Sequence, residues 1–196
     1  MKRKCVLFIT MLATLFLAVP SQAATYTVDA DHTDVSFKIK HLLSKIPGHF
    51  KKFEGSFDYE AGKPETWKAA GTIDVTSIDT NVEARDKHLR SADFFDVQKF
   101  STISFKTTGV KESTGDTAKV DGLITIHGVE KPIVLDVQFN EVVKDPWGNT
   151  HASFTATTTI NRKDFGLTWN QALEAGQLLV GEQVWITLEV DGLLKA

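Results

Sequence analysis

The sequence predicts an all-β protein: about eight antiparallel strands closed into a barrel around a central apolar cavity, with a short helix at one end. Three observations predict it. Most of the chain alternates apolar and polar residues with the period of two that strands show. The alternating segments are joined by short turns, without a βαβ rhythm, which makes the sheet antiparallel with a single dry face. One stretch, Asp79 to Asp96 (DTNVEARDKHLRSADFFD), breaks the alternation with helical signals and then turns aromatic.

In order, Val35, Phe37, Ile39 and His41 share one face of the first long strand, and Ser36, Lys38 and Lys40 take the other. Pro47-Gly48 reads as a turn or irregular segment. Phe53, Gly55, Phe57 and Tyr59 alternate with Glu54, Ser56, Asp58 and Glu60. After a loop at Ala61 to Pro64, Gly71, Ile73 and Val75 oppose Thr72, Asp74 and Thr76. The helical stretch follows. Thr80 and Glu83 fit a capping box, in which hydroxyl and carboxylate each satisfy an orphan backbone N–H. Glu83 with Lys87 and Asp86 with Arg90 are favourable i,i+4 pairs. A helix of about three turns puts Arg85, His88 and Leu89 on one side, and a further turn from Ser91 carries Phe94 and Phe95 inward. Two readings of it stand side by side: a plug whose aromatic pair is core, and a plug that also sets Arg85 and His88 at the mouth of a ligand cavity.

The second half is a plainer meander. Ile103 and Phe105 lead through a turn at Lys111 to Asp116 into Ile124 and Ile126. A tight connection at Gly128 to Pro132 opens Ile133, Leu135, Val137 and Phe139. Asp145-Pro146-Trp147-Gly148-Asn149 is a turn, because Pro presets φ while Gly and Asn tolerate positive φ. Ala152, Phe154, Ala156, Thr158 and Ile160 follow, then a less regular stretch with a short helix or loop at Gln171 to Leu179. Val184, Ile186, Leu188 and Val190 form the last strand. A sandwich or a barrel would bury such strands. The barrel is preferred because closure removes exposed edges. At about eight strands its interior is either filled by side chains or holds one small ligand. The small inward residues Gly55, Gly71, Ala152, Ala156 and Thr158 favour a hollow one.

The first residues are expected to lie outside this fold. Lys2, Arg3 and Lys4 form a positive n-region, Val6 to Val19 an apolar run, and Ser21-Gln22-Ala23 a peptidase site, which predicts a signal peptide cleaved after Ala23. The run is short for a bilayer span and no second one follows, so no stable membrane insertion is expected. Residues 24–196 then form a single domain, exported to a compartment that permits disulfides. The one cysteine, Cys5, falls in the signal, so the exported part must rest on its core rather than on disulfides. Without the three basic signal residues, 19 Lys and Arg face 25 Asp and Glu, a net charge of −6 that disfavours nucleic acid as a partner.

No G-x-S-x-G elbow, H-E-x-x-H or EF-hand pattern occurs, and a Cys-His nucleophile is excluded after Cys5 is removed. The six histidines are scattered singly, so no metal site is predicted, and Asp29, Asp31, His32 and Asp34 suit a turn and cap. Arg85, His88 and Arg90 with Lys87 could form a polar collar, Arg being suited to phosphate or other polar heads, or Arg85 could pin the helix to a strand carboxylate. Trp147, Trp169 and Trp185 could ring a cavity mouth.

The run Asn81 to Asp96, then Lys99-Phe100 leading to Ile103-Ser104-Phe105, closely resembles the YceI-like family. So do Thr125 to Ile133 (TIHGVEKPI), Arg162 to Gly166 (RKDFG) and the opening Asp-His-x-x-Val-x-Phe that ends at Phe37. The likeness runs from about Tyr26 to Leu193, with one departure at Ser101, where the family usually carries Pro. The resemblance implies a lipocalin-like barrel, exported to the periplasm, that binds a polyisoprenoid lipid or isoprenoid quinone without an enzymatic step and without cofactor or metal. The tail of such an amphiphilic ligand is then expected along Phe37, Ile39, Phe57, Ile73, Phe105, Ile126, Leu135, Phe154 and Ile186, and its head near Arg85, His88 and His41. Alternatives are an enzyme acting on a lipid or quinone in the same cavity and a protein-interaction module; a homodimer through the open ends is compatible with each.

Overall fold

The computed structural model describes residues 23–172 and 178–195. The expected signal peptide lies outside the described residues except for Ala23, and so do residues 173–177 of the stretch expected as a short helix or loop. The elements are β1 (Ala24–Val28), β2 (Asp34–His41), β3 (Ser44–Phe50), β4 (Phe53–Tyr59), β5 (Lys68–Asp74), β6 (Ile78–Asp79), α1 (Glu83–Arg90), β7 (Thr102–Thr114), β8 (Thr117–Ile126), β9 (Val129–Lys144), β10 (Thr150–Asn161) and β11 (Val180–Leu194).

All neighbouring strands run antiparallel. Eight of them close a ring in the order β1-β4-β5-β7-β8-β9-β10-β11, with β1 returning to β11. Closure leaves the ring without a free edge. β11 is long enough to serve two neighbours on one side. Its residues 192–194 pair with β1 and its residues 180–189 with β2, which carries β3 and the two-residue β6 beyond it. The wall of the wider end is therefore built by this β2-β3-β6 extension.

The ring has eight strands as expected, but not the same eight: the expected first long strand is β2 of the extension, while β1, β3 and β6 are the strands that alternation did not show. Pro47-Gly48, expected as a turn, lies inside β3 with Pro47 opposite Lys38 and Gly48 opposite Phe37. Proline is tolerated because only His49 and Phe50 find a further partner, in β6, so nothing on that side needs an N–H at position 47.

The inward faces form two cores. At one end Tyr26, Phe57, Tyr59, Trp67, Phe139 and Phe154 stack into an aromatic plug, with Tyr59 and Phe139 ring centroids 4.0 Å apart. Ala152 and Ala156 are fully buried within that cluster, so their small size accommodates the rings and leaves no space there, contrary to the expectation. At the other end Val75, Ile78, Ile103, Ile124, Ile126 and Phe165 form the second core, against which Leu89, Phe95 and Phe37 pack.

The helix differs from its prediction in detail. It has 8 residues, about two turns, and its N-cap is Val82 with no side-chain cap. The capping box does not form because Thr80 is used otherwise: its N–H and hydroxyl both donate to Asp86 Oδ1, a carboxylate only 4% exposed. Glu83 pairs with Arg90 at 3.2 Å instead of with Lys87. Arg90 in turn donates to the Ile78 carbonyl at 3.3 Å, which fastens the helix to β6. The turn after Ser91 does carry Phe94 inward, to 8% exposure.

Candidate functional site

Between the aromatic plug and α1 the barrel encloses a cavity of about 660 Å³, within the range of small-molecule sites. Its wall is almost wholly apolar. The burial pattern records it independently: Phe37, Ile39, Ile73, Phe105, Ile160, Val184 and Ile186 line the cavity yet are only partly buried. Toward the plug, Val120, Leu135, Val137 and Phe139 still border the cavity but are buried by the stacked rings.

All twelve residues expected at the site lie on the cavity wall. They do not form one environment. Phe57 and Phe154 belong to the plug, edge to face at 5.0 Å, and make the floor. Phe37, Ile39, Ile73, Phe105, Ile126, Leu135 and Ile186 make the sides. His41, Arg85 and His88 lie at the α1 end. For the strand residues, position on the wall follows from alternation, since every second residue of a closed sheet faces the interior; Arg85 and His88 are brought there by α1.

The polar collar is more constrained than its sequence suggests. Among the described residues Arg85 reaches no strand carboxylate. Its Nε donates to Thr80 Oγ1 and its Nη2 to the Thr80 carbonyl, each at 2.7 Å. His88 Nε2 lies 2.9 Å from Asp93 Oδ2, and its ring packs edge-on against Phe94 and Trp169, at 5.0 and 4.9 Å between centroids. Arg90 is turned to β6, and Lys87 is exposed; neither lines the cavity. Of the three tryptophans, Trp169 alone stands at the mouth. Trp147 is 85% exposed in the β9–β10 hairpin, and Trp185 lies under Lys45 Nζ, 3.8 Å from the ring centroid.

Arg162 is the polar residue that sequence reading missed. It is 3% exposed and borders the cavity. Its Nε donates to the Gly181 carbonyl at 2.8 Å and its Nη1 to the Leu167 carbonyl, while the buried Nη2 has no hydrogen-bond partner. No carboxylate lies within ion-pair distance among the described residues, and burial pulls the guanidinium below its usual range. A buried donor left open costs free energy unless a partner arrives. In the sequence, Arg162-Lys163-Asp164 looks like a charged surface turn; only the 3-10 turn after β10, which folds Arg162 inward, reveals the difference.

Away from the cavity, His151 Nδ1 lies 2.8 Å from Asp191 and its Nε2 3.4 Å from Asp145, and with Asp29 they form a polar cluster at the sealed end. The expected turn role is seen at Asp29, which accepts the Asp31 N–H and meets His32 at 2.8 Å; Asp34 instead meets His49 of β3 at 2.8 Å.

Comparison with known proteins agrees with this architecture. A YceI-like domain model matches residues 26–191. A UPF0312 protein of Pseudomonas putida is 46% identical over 157 residues, which are 78% of this chain and 81% of the relative. The crystal structure of the Campylobacter jejuni YCEI protein superposes with a TM-score of 0.69 at 32% identity, covering 86% of this chain and 96% of that one. A polyisoprenoid binding domain from Saccharophagus degradans shares the fold, with a TM-score of 0.62 at 16% identity, over 89% of this chain and 100% of that domain. The fold, the span of the match and the level of identity place the chain in the YceI-like family.

Proposed function

We propose that the barrel carries a polyisoprenoid lipid or an isoprenoid quinone in its cavity, without transforming it, in the periplasm after removal of residues 1–23. One observation carries this reading: an apolar cavity of about 660 Å³ onto which inward apolar side chains such as Phe37, Ile39, Phe105 and Ile186 are left partly uncovered. The named ligand class of the Saccharophagus domain, which shares the fold, supports the choice of cargo. A hydrocarbon tail burying on the order of 400 Å² at ~25 cal/mol/Å² gains roughly 10 kcal/mol. Lost translational and rotational freedom removes a substantial part of that. The remainder suits reversible carriage.

The head-group contact proposed here differs from the expected one. Arg85 already spends two donors on Thr80. Arg162 offers a free buried N–H at the cavity wall. The cargo's carbonyl or phosphate oxygen would accept from Arg162 Nη2, with His41 and His88 nearer the opening. Organic extraction of the purified protein followed by mass spectrometry tests the reading. An isoprenoid recovered unchanged and in stoichiometric amount is expected. Empty extracts, together with no saturable binding of an added quinone, would overturn it, and turnover of excess quinone would make the protein an enzyme.

A further inference from the structure

The tip of the β2–β3 hairpin is built against the usual rules for such turns. His41 pairs with Ser44, so Leu42 and Leu43 alone make the loop. Leu42 has φ +54°, a left-handed backbone that glycine or asparagine adopts at far lower cost. Leu43 is 93% exposed and Leu42 46%. Two leucines thus stand in water at a position where turn stability and solubility both favour other residues.

Behind the tip the charges are equally one-sided. Lys40 lies directly opposite Lys45, and Lys38 is one outward step further along β2. Like charges facing each other across a ladder weaken the pairing. None of the three has a carboxylate partner among the described residues; Lys45 rests on the Trp185 ring. They are unneutralised in a chain whose net charge is −3.

The tip also has a defined place. Leu42 N–H donates to the Leu179 carbonyl at 2.9 Å, and Ile39, His41, Ile46 and Leu179 line the cavity at the α1 end. Leu42 and Leu43 themselves do not line it. Val82, at the start of α1, is a further apolar group 47% exposed beside the same opening. An apolar tip flanked by unpaired lysines is the combination that lowers into the headgroup region of an anionic bilayer.

We propose that the β2–β3 hairpin docks the cavity mouth onto an anionic phospholipid surface, with Leu42 and Leu43 inserted and Lys38, Lys40 and Lys45 against the headgroups. A hydrocarbon chain then passes between bilayer and barrel without crossing water. This rests on the carrier reading for its purpose, but the docking is measured separately from cavity binding.

The test is flotation of the purified protein with vesicles of phosphatidylglycerol and phosphatidylethanolamine, beside vesicles of phosphatidylcholine alone, at low and high salt. Binding to the anionic vesicles that weakens with salt is expected. Leu43→Asp is expected to lose at least tenfold, and each of Lys38→Gln, Lys40→Gln and Lys45→Gln about fivefold at low salt. The melting temperature of Leu43→Asp stays at the wild-type value, because the side chain is already in water. Trp147→Ser is the control: that exposed tryptophan sits in the turn of the β9–β10 hairpin at the sealed end, two residues after Asp145. Equal binding to neutral vesicles, retention of binding by Leu43→Asp, or its loss in Trp147→Ser would each overturn the proposal. A wild-type dimer that Leu43→Asp splits, without vesicle binding by either, would instead assign the tip to contact between copies. Quinone titration of Leu43→Asp in solution separates the two readings, since the carrier reading fails there only if the wild type also binds none.

Discussion

Gly48→Ala offers a direct probe of whether the cavity wall is where cargo lies. Gly48 is buried on β3 opposite Phe37, and a Cβ built there would stand 2.3 Å from Phe37 Cζ and 2.7 Å from Cε1. The three nearest atoms all belong to the Phe37 ring, so the ring is what has to yield. Ordinary contact starts at 3.4 Å, so the ring must retreat by at least the 1.1 Å difference. Phe50 stands 5.7 Å from the Phe37 centroid on the core side, which leaves the cavity as the open direction. The ring then occupies space equivalent to one or two methylenes of a tail. At about 0.8 kcal/mol per buried CH₂, affinity for a long-chain quinone falls roughly 4- to 15-fold. Overpacking costs about 1–3 kcal/mol, and the lower unfolded-state entropy of alanine returns about 0.4–1 kcal/mol. The net loss is up to about 2.5 kcal/mol, a lowering of the melting temperature by no more than about 10 °C. Titration calorimetry with a quinone of fixed tail length and thermal unfolding of the same variant supply both numbers. Adding Phe37→Leu removes the clash and is expected to restore part of the affinity, a non-additivity that isolates the contact. Unchanged affinity in a folded Gly48→Ala protein would show that cargo does not lie against Phe37, and the wall assignment would fail with it.

Three other outcomes follow from the site. Phe105→Asp places a carboxylate on the cavity side and is expected to abolish quinone binding and to cost about 3 kcal/mol or more of stability, read by denaturant titration. Arg162→Gln removes a charged donor that cargo oxygen would accept from, so the preference for a quinone over a hydrocarbon of the same length is expected to fall about 10- to 100-fold. Affinity for the hydrocarbon itself stays near the wild-type value, and an undiminished preference would reduce Arg162 to a tie between β10 and β11. At the sealed end, the hydrogen bond to Asp191, reinforced by Asp145, raises the pKa of His151, while the bond to His32 holds the Asp29 carboxyl low. A raised folded-state pKa gives stability that is fully present below the unfolded value of about 6.5 and is lost as pH rises through the folded value. The melting-temperature advantage of wild type over His151→Gln is therefore expected to shrink between pH 6 and pH 9, and an advantage that grew with pH would contradict the pairing. Loss of the Asp29 contribution belongs to acid conditions and does not overlap that window.

Strand alternation was legible from residues 35 to 190 because inward and outward positions of a closed sheet differ in solvent, and that difference is written into each side chain. The same regularity identified the inward apolar residues one by one, which is why the nine apolar residues expected along the tail stand on the cavity wall. Family likeness was legible in the helical run and in the Arg162 to Gly166 segment. What alternation could not show is which inward positions meet another side chain across the barrel. Ala156 and Thr158 look alike in sequence, yet Ala156 is fully buried against the aromatic plug and Thr158 borders the cavity.

Local pairing rules were likewise overruled where a distant partner competed. Thr80 gave up a cap for the buried Asp86, and Arg85 gave up a carboxylate for Thr80. Pro47 remained in a strand because its far side needs no donor. The sequence by itself determined an antiparallel sheet with one dry face and a helix set beside it, because those depend on spacing along the chain. Only the tertiary structure decided that one end is filled by stacked rings, that the middle is hollow, and that Arg162 turns inward with a donor to spare. Those depend on which side chains meet across the closed ring, and that distance is fixed by strand pairing rather than by sequence separation.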